Sequence, residues 1–262
     1  MKGIIKKVID TKQFHILMIF VIILFICLAC GIIVLKYNVE GETRLPFNLT
    51  GISVISTVEG TDIENSTHKW DLNVNQNNDI YLYIDKNKDY DGTEIIKSVK
   101  VENFVINKDS NIGTLKLYKP DSNMEGTIFK NSSENECNTI EFVGDLESSI
   151  KDMRISNQGG LVTFRYAITD LGQFTSDDAQ EIDHSKLLST LGINNDDLKF
   201  NVSFDIIMEL ESQKSYKTSV TLDLPTGDVV NDGIQVNENK DMQNIVFKRN
   251  INGKIKLPVR DK

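Results

Sequence analysis

The segment 85–94 combines the residue types that bind a hard cation. Its candidate ligands are Asp85, Asn87, Asp89, Asp91 and Glu94. Oxygen ligands at alternate positions suit Ca²⁺, which takes six to eight carboxylate, amide or carbonyl oxygens. However, the twelfth position counted from Asp85 is Ile96 instead of the glutamate that an EF-hand requires, and two lysines lie inside the segment. The sequence therefore predicts either a weak calcium site or a solvated turn between two strands.

One arrangement of residues could support nucleophilic catalysis. His68, Cys137 and Arg154 occur in the order that resembles sortase-like transpeptidases, which are β-rich and anchored by an N-terminal helix. Glutamates flank Cys137, however, and nearby negative charge raises the pKa of a thiol and suppresses the reactive thiolate. This context argues against a nucleophilic cysteine.

Other catalytic motifs are missing from the sequence. It contains no glycine-rich phosphate loop, no H-E-x-x-H and no G-x-S-x-G. We therefore expect a protein that is not an enzyme and has no cofactor other than the Ca²⁺ considered above. The alternative is a pair of carboxylates from distant strands that hydrolyses an envelope polymer, because two carboxylates suffice for glycoside hydrolysis.

Charge divides the chain into two parts. The 262 residues carry a net charge of −9, but residues 1–36 contain five lysines and one aspartate. The other 226 residues therefore carry −13. An acidic body argues against nucleic-acid binding, which requires a basic surface to replace the counterions of the phosphates.

The apolar run near the N-terminus predicts a membrane anchor. Twenty residues without a charge, 16–35, would form a helix of about 30 Å, which matches the hydrocarbon core of a bilayer. We place a transmembrane helix at 14–36, with the lipid bilayer as its partner. The lysines before it place residues 1–13 in the cytoplasm and the acidic body outside the cell membrane.

The same apolar run could instead belong to a cleaved signal or to a lipoprotein signal. A cleaved secretory signal has a shorter apolar core and an Ala-x-Ala site, and none precedes Lys36. A lipoprotein signal would end at Cys30, but apolar residues continue beyond it. An uncleaved single-pass anchor fits the segment best.

The acidic body reads mostly as strands, and the clearest signal is the segment 198–224. Alternate residues from Leu198 to Leu210 are apolar, a polar turn follows at 212–214, and the alternation returns from Tyr216 to Leu224. A period of two predicts a long hairpin with one buried face. Phe204 is expected in the core, whereas Asp205 is expected on the solvated face and tolerant of substitution.

A second hairpin is predicted at 70–84, where alternating residues flank Asn77-Asn78-Asp79 and these three residues favour a turn. The face change between Val101 and Phe104 suggests a β-bulge near Asn103. The remaining strands are predicted at 50–57, 95–106, 113–118, 125–130, 138–143, 162–168 and 245–249.

One short helix is predicted at 184–191. Asp183 is a suitable N-cap, Gly192 is a suitable terminator, and the leucines between them would share one face.

Many closely spaced strands with few helices predict an all-β antiparallel sandwich over residues 48–250. A split into two smaller sandwiches near 145–160 is the alternative. A short tether at 37–47 would keep this domain near the membrane, the segment 226–244 is expected to be flexible, and 251–262 is a polar tail.

The anchor, the tether and stretches such as 39–47 and 197–205 resemble uncharacterised single-pass membrane proteins of low-GC Gram-positive bacteria such as clostridia. That resemblance implies a source and a location and no activity. The sequence thus favours an extracytoplasmic protein with a non-catalytic role in the cell envelope, binding a membrane or envelope protein. The alternative is a sensor or adhesion module that binds a ligand or calcium through residues 85–94.

Overall fold

The protein forms two compact units, Met1–Thr43 and Arg44–Lys262. The structure is a computed structural model that describes residues 12–39, 45–64, 68–121, 128–146, 153–177, 181–240 and 245–250. The first unit contains one long helix, and the second contains two β-sheets and a few short helices.

Helix α1 (Lys12–Val39) occupies the apolar N-terminal segment. Its stretch Phe14–Ile33 is long and apolar enough to cross a membrane. Apolar side chains are exposed along this stretch; Phe20 and Phe25, for example, are both 70 % exposed. The predicted helix is therefore confirmed, whereas its insertion and its orientation stay predictions.

Eleven strands occur in the described part of the second unit. They are β1 (Phe47–Asp62), β2 (Trp70–Lys86), β3 (Ile96–Lys108), β4 (Thr114–Tyr118), β5 (Ile140–Gly144), β6 (Met153–Ile155), β7 (Gly159–Ser176), β8 (Phe200–Leu210), β9 (Ser215–Leu224), β10 (Ile234–Asn239) and β11 (Lys248–Arg249). Sheet A has the order β10-β1-β2-β7-β4, and sheet B has the order β11-β9-β8-β3-β5-β6. Neighbouring strands are antiparallel except β5 and β6, which run parallel. The expectation of purely antiparallel sheets is therefore wrong at that edge.

Short helices connect some of these strands. They are a 3₁₀ turn (His184–Lys186), α2 (Leu187–Thr190), α3 (Asn195–Leu198) and α4 (Val229–Asp232). The predicted helix at 184–191 is confirmed in outline: the Asp183 carboxylate accepts a hydrogen bond from the Ser185 backbone N–H, and Gly192 follows in the left-handed conformation. Leu187 and Leu188 are buried in the core.

The hairpin predicted at 198–224 is confirmed as β8 and β9. Every second residue of β8 is buried, from Phe200 to Leu210, and the strand pairs with β9 from Phe200 to Glu209. Leu198 is buried as well, but it belongs to α3.

The hairpin predicted at 70–84 is wrong, because β2 is one continuous strand of 17 residues. Buried side chains stabilise its centre: Asn78 donates a hydrogen bond to the Gln76 side chain at 2.8 Å and accepts one from the Ser56 hydroxyl at 2.7 Å. The backbone N–H of Thr226 donates to the same hydroxyl at 3.0 Å. A turn residue can lie within a strand when neighbouring strands satisfy its polar atoms.

Other predicted segments differ from the structure in particular ways. The segment 226–244 contains α4 and β10, and β10 pairs with β1, so the expected flexibility is wrong for these elements. Residues 128–130 are not a strand, and the rest of the strand predicted at 125–130 lies outside the described residues. The tail 251–262 lies outside them too.

Aromatic rings from both sheets form the centre of the core. The Phe164 ring of β7 lies 5.2 Å from the Phe204 ring of β8 and 5.6 Å from the Phe104 ring of β3. The predicted bulge is confirmed, because Asn103 has φ 55° and the register of β3 against β8 shifts between Glu102 and Val105. This bulge turns Phe104 toward sheet A.

Candidate interaction surface

Three of the five predicted calcium ligands, Asp85, Asn87 and Glu94, form side-chain bonds to other groups of the protein. Asp85 accepts a hydrogen bond from the Thr50 hydroxyl at 2.6 Å, and Asn87 accepts one from the Asp89 backbone N–H at 3.0 Å. The Asn87 amide donates to the Leu45 carbonyl oxygen at 2.8 Å. These bonds arrange the segment as a turn that contacts the beginning of β1.

Glu94 forms an ion pair with a lysine side chain of the same domain. The Lys214 ammonium lies 2.8 Å from its carboxylate. Partial burial tends to raise the pKa of Glu94, but hydrogen bonds from Lys214 and Ser212 outweigh it and lower the pKa overall. Among the described residues, no group of three or more His, Cys, Asp or Glu side chains could hold a metal ion.

The three residues with sortase-like order lie on separate elements. Cys137 lies beside β4, and its backbone N–H donates a hydrogen bond to the Leu117 carbonyl oxygen of that strand. Burial raises the pKa of Cys137 to about 11, the opposite of what a nucleophilic thiolate needs. His68 pairs with Asp177 at 3.1 Å, and Arg154 lies on the edge strand β6.

A largely buried ion pair lies on the outer face of sheet A, which is the face directed away from the core. It occupies one half of that face. Arg165 on β7 is only 8 % exposed, and its Nη2 donates to the Asp79 carboxylate of β2 at 3.0 Å. Burial raises the pKa of Asp79, although the Arg165 hydrogen bond and charge act in the opposite direction. Sequence reasoning missed this pair, whose members are 86 residues apart.

The segment 128–136 covers this half of the face. The Phe129 ring lies 5.0 Å from the Arg165 guanidinium carbon, a cation–π contact. The Asn131 side chain accepts a hydrogen bond from Arg165 at 3.1 Å and donates one to Asn77 at 2.8 Å. The ion pair thus lies beneath the segment and stabilises its position.

The other half of the face carries exposed apolar side chains, and we call it the open face. Its exposed members are Tyr83, Leu161, Ile234 and Val236, and the half-buried Ile55 and Tyr81 lie between them. The register places Val236 beside Ile55 and Tyr83 beside Leu161, and it also places Ile55 beside Asp79 of the ion pair. Exposure is 43 % for Tyr83, 40 % for Leu161 and 59 % for Val236.

A shallow pocket of about 370 Å³ lies at one end of the open face. Gly51 lacks a side chain opposite Tyr83, where an added Cβ would lie 3.4 Å from the tyrosine ring. Asp85, Glu238 and Lys240 form the charged border, and the latter two pair at 3.1 Å. The arrangement is a flat apolar area with a polar edge.

The sequence of β2 contains a signal for the open face. The run from Ile80 to Ile84 is apolar on both faces, since Tyr81 and Tyr83 alternate with the buried residues. An antiparallel strand with one solvated face would instead alternate apolar with polar residues.

Comparisons of the chain with protein-family models, with curated proteins and with solved structures found no match. The fold and the surface define the class: a β-rich protein with one apolar N-terminal helix and an exposed apolar sheet face.

Proposed function

We propose that this is a single-pass membrane protein whose β-sandwich domain lies outside the cell membrane and has a non-catalytic binding role in the cell envelope. The lysines before α1 and the acidic body after it support this orientation. Contacts between aromatic rings of the two sheets support the sandwich. The domain binds a neighbouring envelope or membrane protein through the open face.

The open face is the observation that carries this proposal. Val236 and Tyr83 are exposed on the same face of sheet A, with the half-buried Ile55 and Tyr81 between them and charged residues at one end. Exposed apolar side chains with a polar border are typical of a protein–protein interface. The adjacent strand β10 is an edge of sheet A, and a strand of a partner can extend such an edge. Exposed apolar side chains on several strands beside an edge strand suit a protein partner.

The negative charge of the domain favours a basic partner. Asp85 and Glu238 lie at the border of the open face, and the body as a whole is strongly acidic. A partner with basic side chains around an apolar centre would associate faster and with better specificity than an acidic one.

Site-specific photocrosslinking in producing cells tests this binding role. Benzoylphenylalanine at position 236 or 83 should give one adduct with a distinct envelope protein. The same residue at Thr221, which is exposed on β9 of sheet B, should give none. Val236→Asp should abolish the adduct formed from position 83, whereas Thr221→Asp, at a strand residue of similar shape, should not.

Three crosslinking results would count against the proposal. An adduct of twice the chain mass would mean that the open face joins two copies of this chain. Equal adducts from positions 236 and 221, or none from either open-face position, would show that the face binds no specific partner.

Reporter fusions test the orientation. Alkaline phosphatase, which is active only outside the cytoplasm, should be active when fused after Lys262, and the fusion should stay in the membrane at full length. Replacing Lys2, Lys6 and Lys7 with glutamate should reduce this activity, because the positive-inside bias would be lost. A shortened, soluble product would overturn the anchor.

A further inference from the structure

A second concave region lies between the bulge of β3 and the edge strand β4, and we call it the β3–β4 cleft. Its volume is about 520 Å³, within the range of small-molecule sites. The apolar part of its lining consists of Phe104, Ile106, Leu115, Leu117, Cys137 and Tyr166. The cleft therefore gives access to the aromatic cluster at the centre of the core.

The bulge creates this access. Asn103 adopts a left-handed conformation, and Asp205 of the neighbouring strand accepts a hydrogen bond from its amide at 2.8 Å. After the bulge, Phe104 is only partly buried and Ile106 is 47 % exposed. Hydrophobic side chains of β3 are therefore accessible from the side that faces β4. A regular strand at this position would have paired these residues differently.

Tyr166 supplies a polar group within the cleft. The residue is 3 % exposed, and its ring packs between those of Phe104 and Phe200. Among the described residues, its hydroxyl has no hydrogen-bond partner; the backbone carbonyl of Tyr166 is the atom that accepts from Asn78. The hydroxyl is not one of the fully buried polar atoms that lack a partner, so solvent reaches it through the cleft and a ligand acceptor can replace that water.

The surroundings of this hydroxyl define what it can bind. Burial raises the pKa of Tyr166, and the nearby Cys137 raises it further, so the hydroxyl keeps its proton and can donate it. The charged lining residues are Glu102, Lys116 and Glu136, and Lys116 pairs with Glu136 at 3.6 Å. Carboxylates are thus in excess, which disfavours an anionic ligand.

We propose that the β3–β4 cleft binds a neutral small molecule with an apolar, ring-sized body and one hydrogen-bond acceptor, such as a carbonyl oxygen. The apolar body contacts Phe104 and Leu117. The acceptor receives the hydrogen bond of the Tyr166 hydroxyl. This site is separate from the open face and independent of the partner proposed there.

A neutral fluorescent ketone tests the proposal. The probe is 6-propionyl-2-dimethylaminonaphthalene, whose emission shifts to the blue in apolar surroundings. Residues 44–262 form a compact unit with their own core, so they can be studied without the helix. Titration with the probe should give a saturable blue shift, and Tyr166→Phe should weaken binding by roughly fivefold, because one hydrogen bond is lost.

Tyr83→Phe is the matched control, since the same change on the open face should leave probe affinity unchanged. Cys137 provides a second measurement that needs no substitution at Tyr166. It is the one thiol in residues 44–262, and saturating probe should slow its alkylation by N-ethylmaleimide. Unsaturable binding, unchanged alkylation, equal affinity for Tyr166→Phe, or weaker binding by Tyr83→Phe would each overturn the proposal.

Discussion

Removing the positive charge of Arg165 should destabilise the β domain strongly. Arg165→Met keeps an unbranched apolar stem but leaves the Asp79 carboxylate, 14 % exposed, without its cation. Truncating one member of a buried ion pair costs about 3–5 kcal/mol. The free energy of unfolding of an ordinary domain is about 5–15 kcal/mol, so the loss is a large part of the total.

The loss of stability caused by Arg165→Met should increase as the pH rises. Burial already raises the pKa of Asp79 above 3.8, and Arg165 opposes that rise, so the variant should have a still higher pKa. A raised pKa in the folded state means that stability is fully present below the unfolded-state value and is lost as the pH rises through the folded-state value. The deficit of Arg165→Met should therefore be largest at neutral pH and shrink toward pH 3.8.

Urea unfolding of residues 44–262 over this pH range measures the effect. The double variant Arg165→Met/Asp79→Leu should regain much of the lost stability at neutral pH, because it leaves no buried charge. Asn131→Ala removes two neighbouring hydrogen bonds, one from Arg165 and one to Asn77, and should cost about 1–2 kcal/mol at every pH. A deficit that is independent of pH, or a double variant as unstable as the single one, would refute the reasoning.

Two further pairs of variants test the packing of the domain by thermal or urea unfolding. Phe204→Ala should cost about 3–5 kcal/mol, because it opens a cavity in the aromatic cluster. Asp205→Ser should cost about 1–2 kcal/mol instead of the negligible effect expected from its outward position, because its carboxylate binds Asn103, Lys217 and Ser219. Equal costs would mean that the aromatic cluster is not packed as described. Gly233→Ala should cost more than Gly192→Ala: both glycines have φ 72°, but a Cβ at 233 would overlap Ser185, whereas the space around 192 is open. Equal losses for the two glycine variants would show that backbone conformation alone decides the cost.

The period and the phase of the apolar residues decide which strands can be predicted from the sequence. Residues 200–224 alternate on both sides of a polar turn, and the structure has that hairpin. Residues 70–86 contain equally good turn residues, yet the buried positions 72 to 84 keep one unbroken phase through Asn78. That continuity, and not the amide side chains, indicates the strand.

The features around the candidate sites depend on distant parts of the chain. The sequence at 85–94 predicted either a weak calcium site or a solvated turn, and it did not show that Lys214, which is remote in sequence, binds Glu94. The β3–β4 cleft requires the bulge at Asn103 and the edge strand β4 together; the sequence predicted the bulge and a strand at 113–118, but not that this strand lies at the edge of sheet A beside the bulge. Pairing between strands decides such arrangements, and the order of residues along the chain does not show which strands pair.

The amide cluster of Gln76 and Asn78 also selects one alignment of the long strands. β1, β2 and β7 have 16, 17 and 18 residues, and a shift of two residues would keep every apolar side chain on the buried face. Such a shift would separate Asn78 from Ser56 and from the Tyr166 carbonyl, leaving buried amide groups unpaired at about 1–3 kcal/mol each. A few polar atoms inside the core thus discriminate between alignments that hydrophobic burial alone would leave nearly equal in free energy.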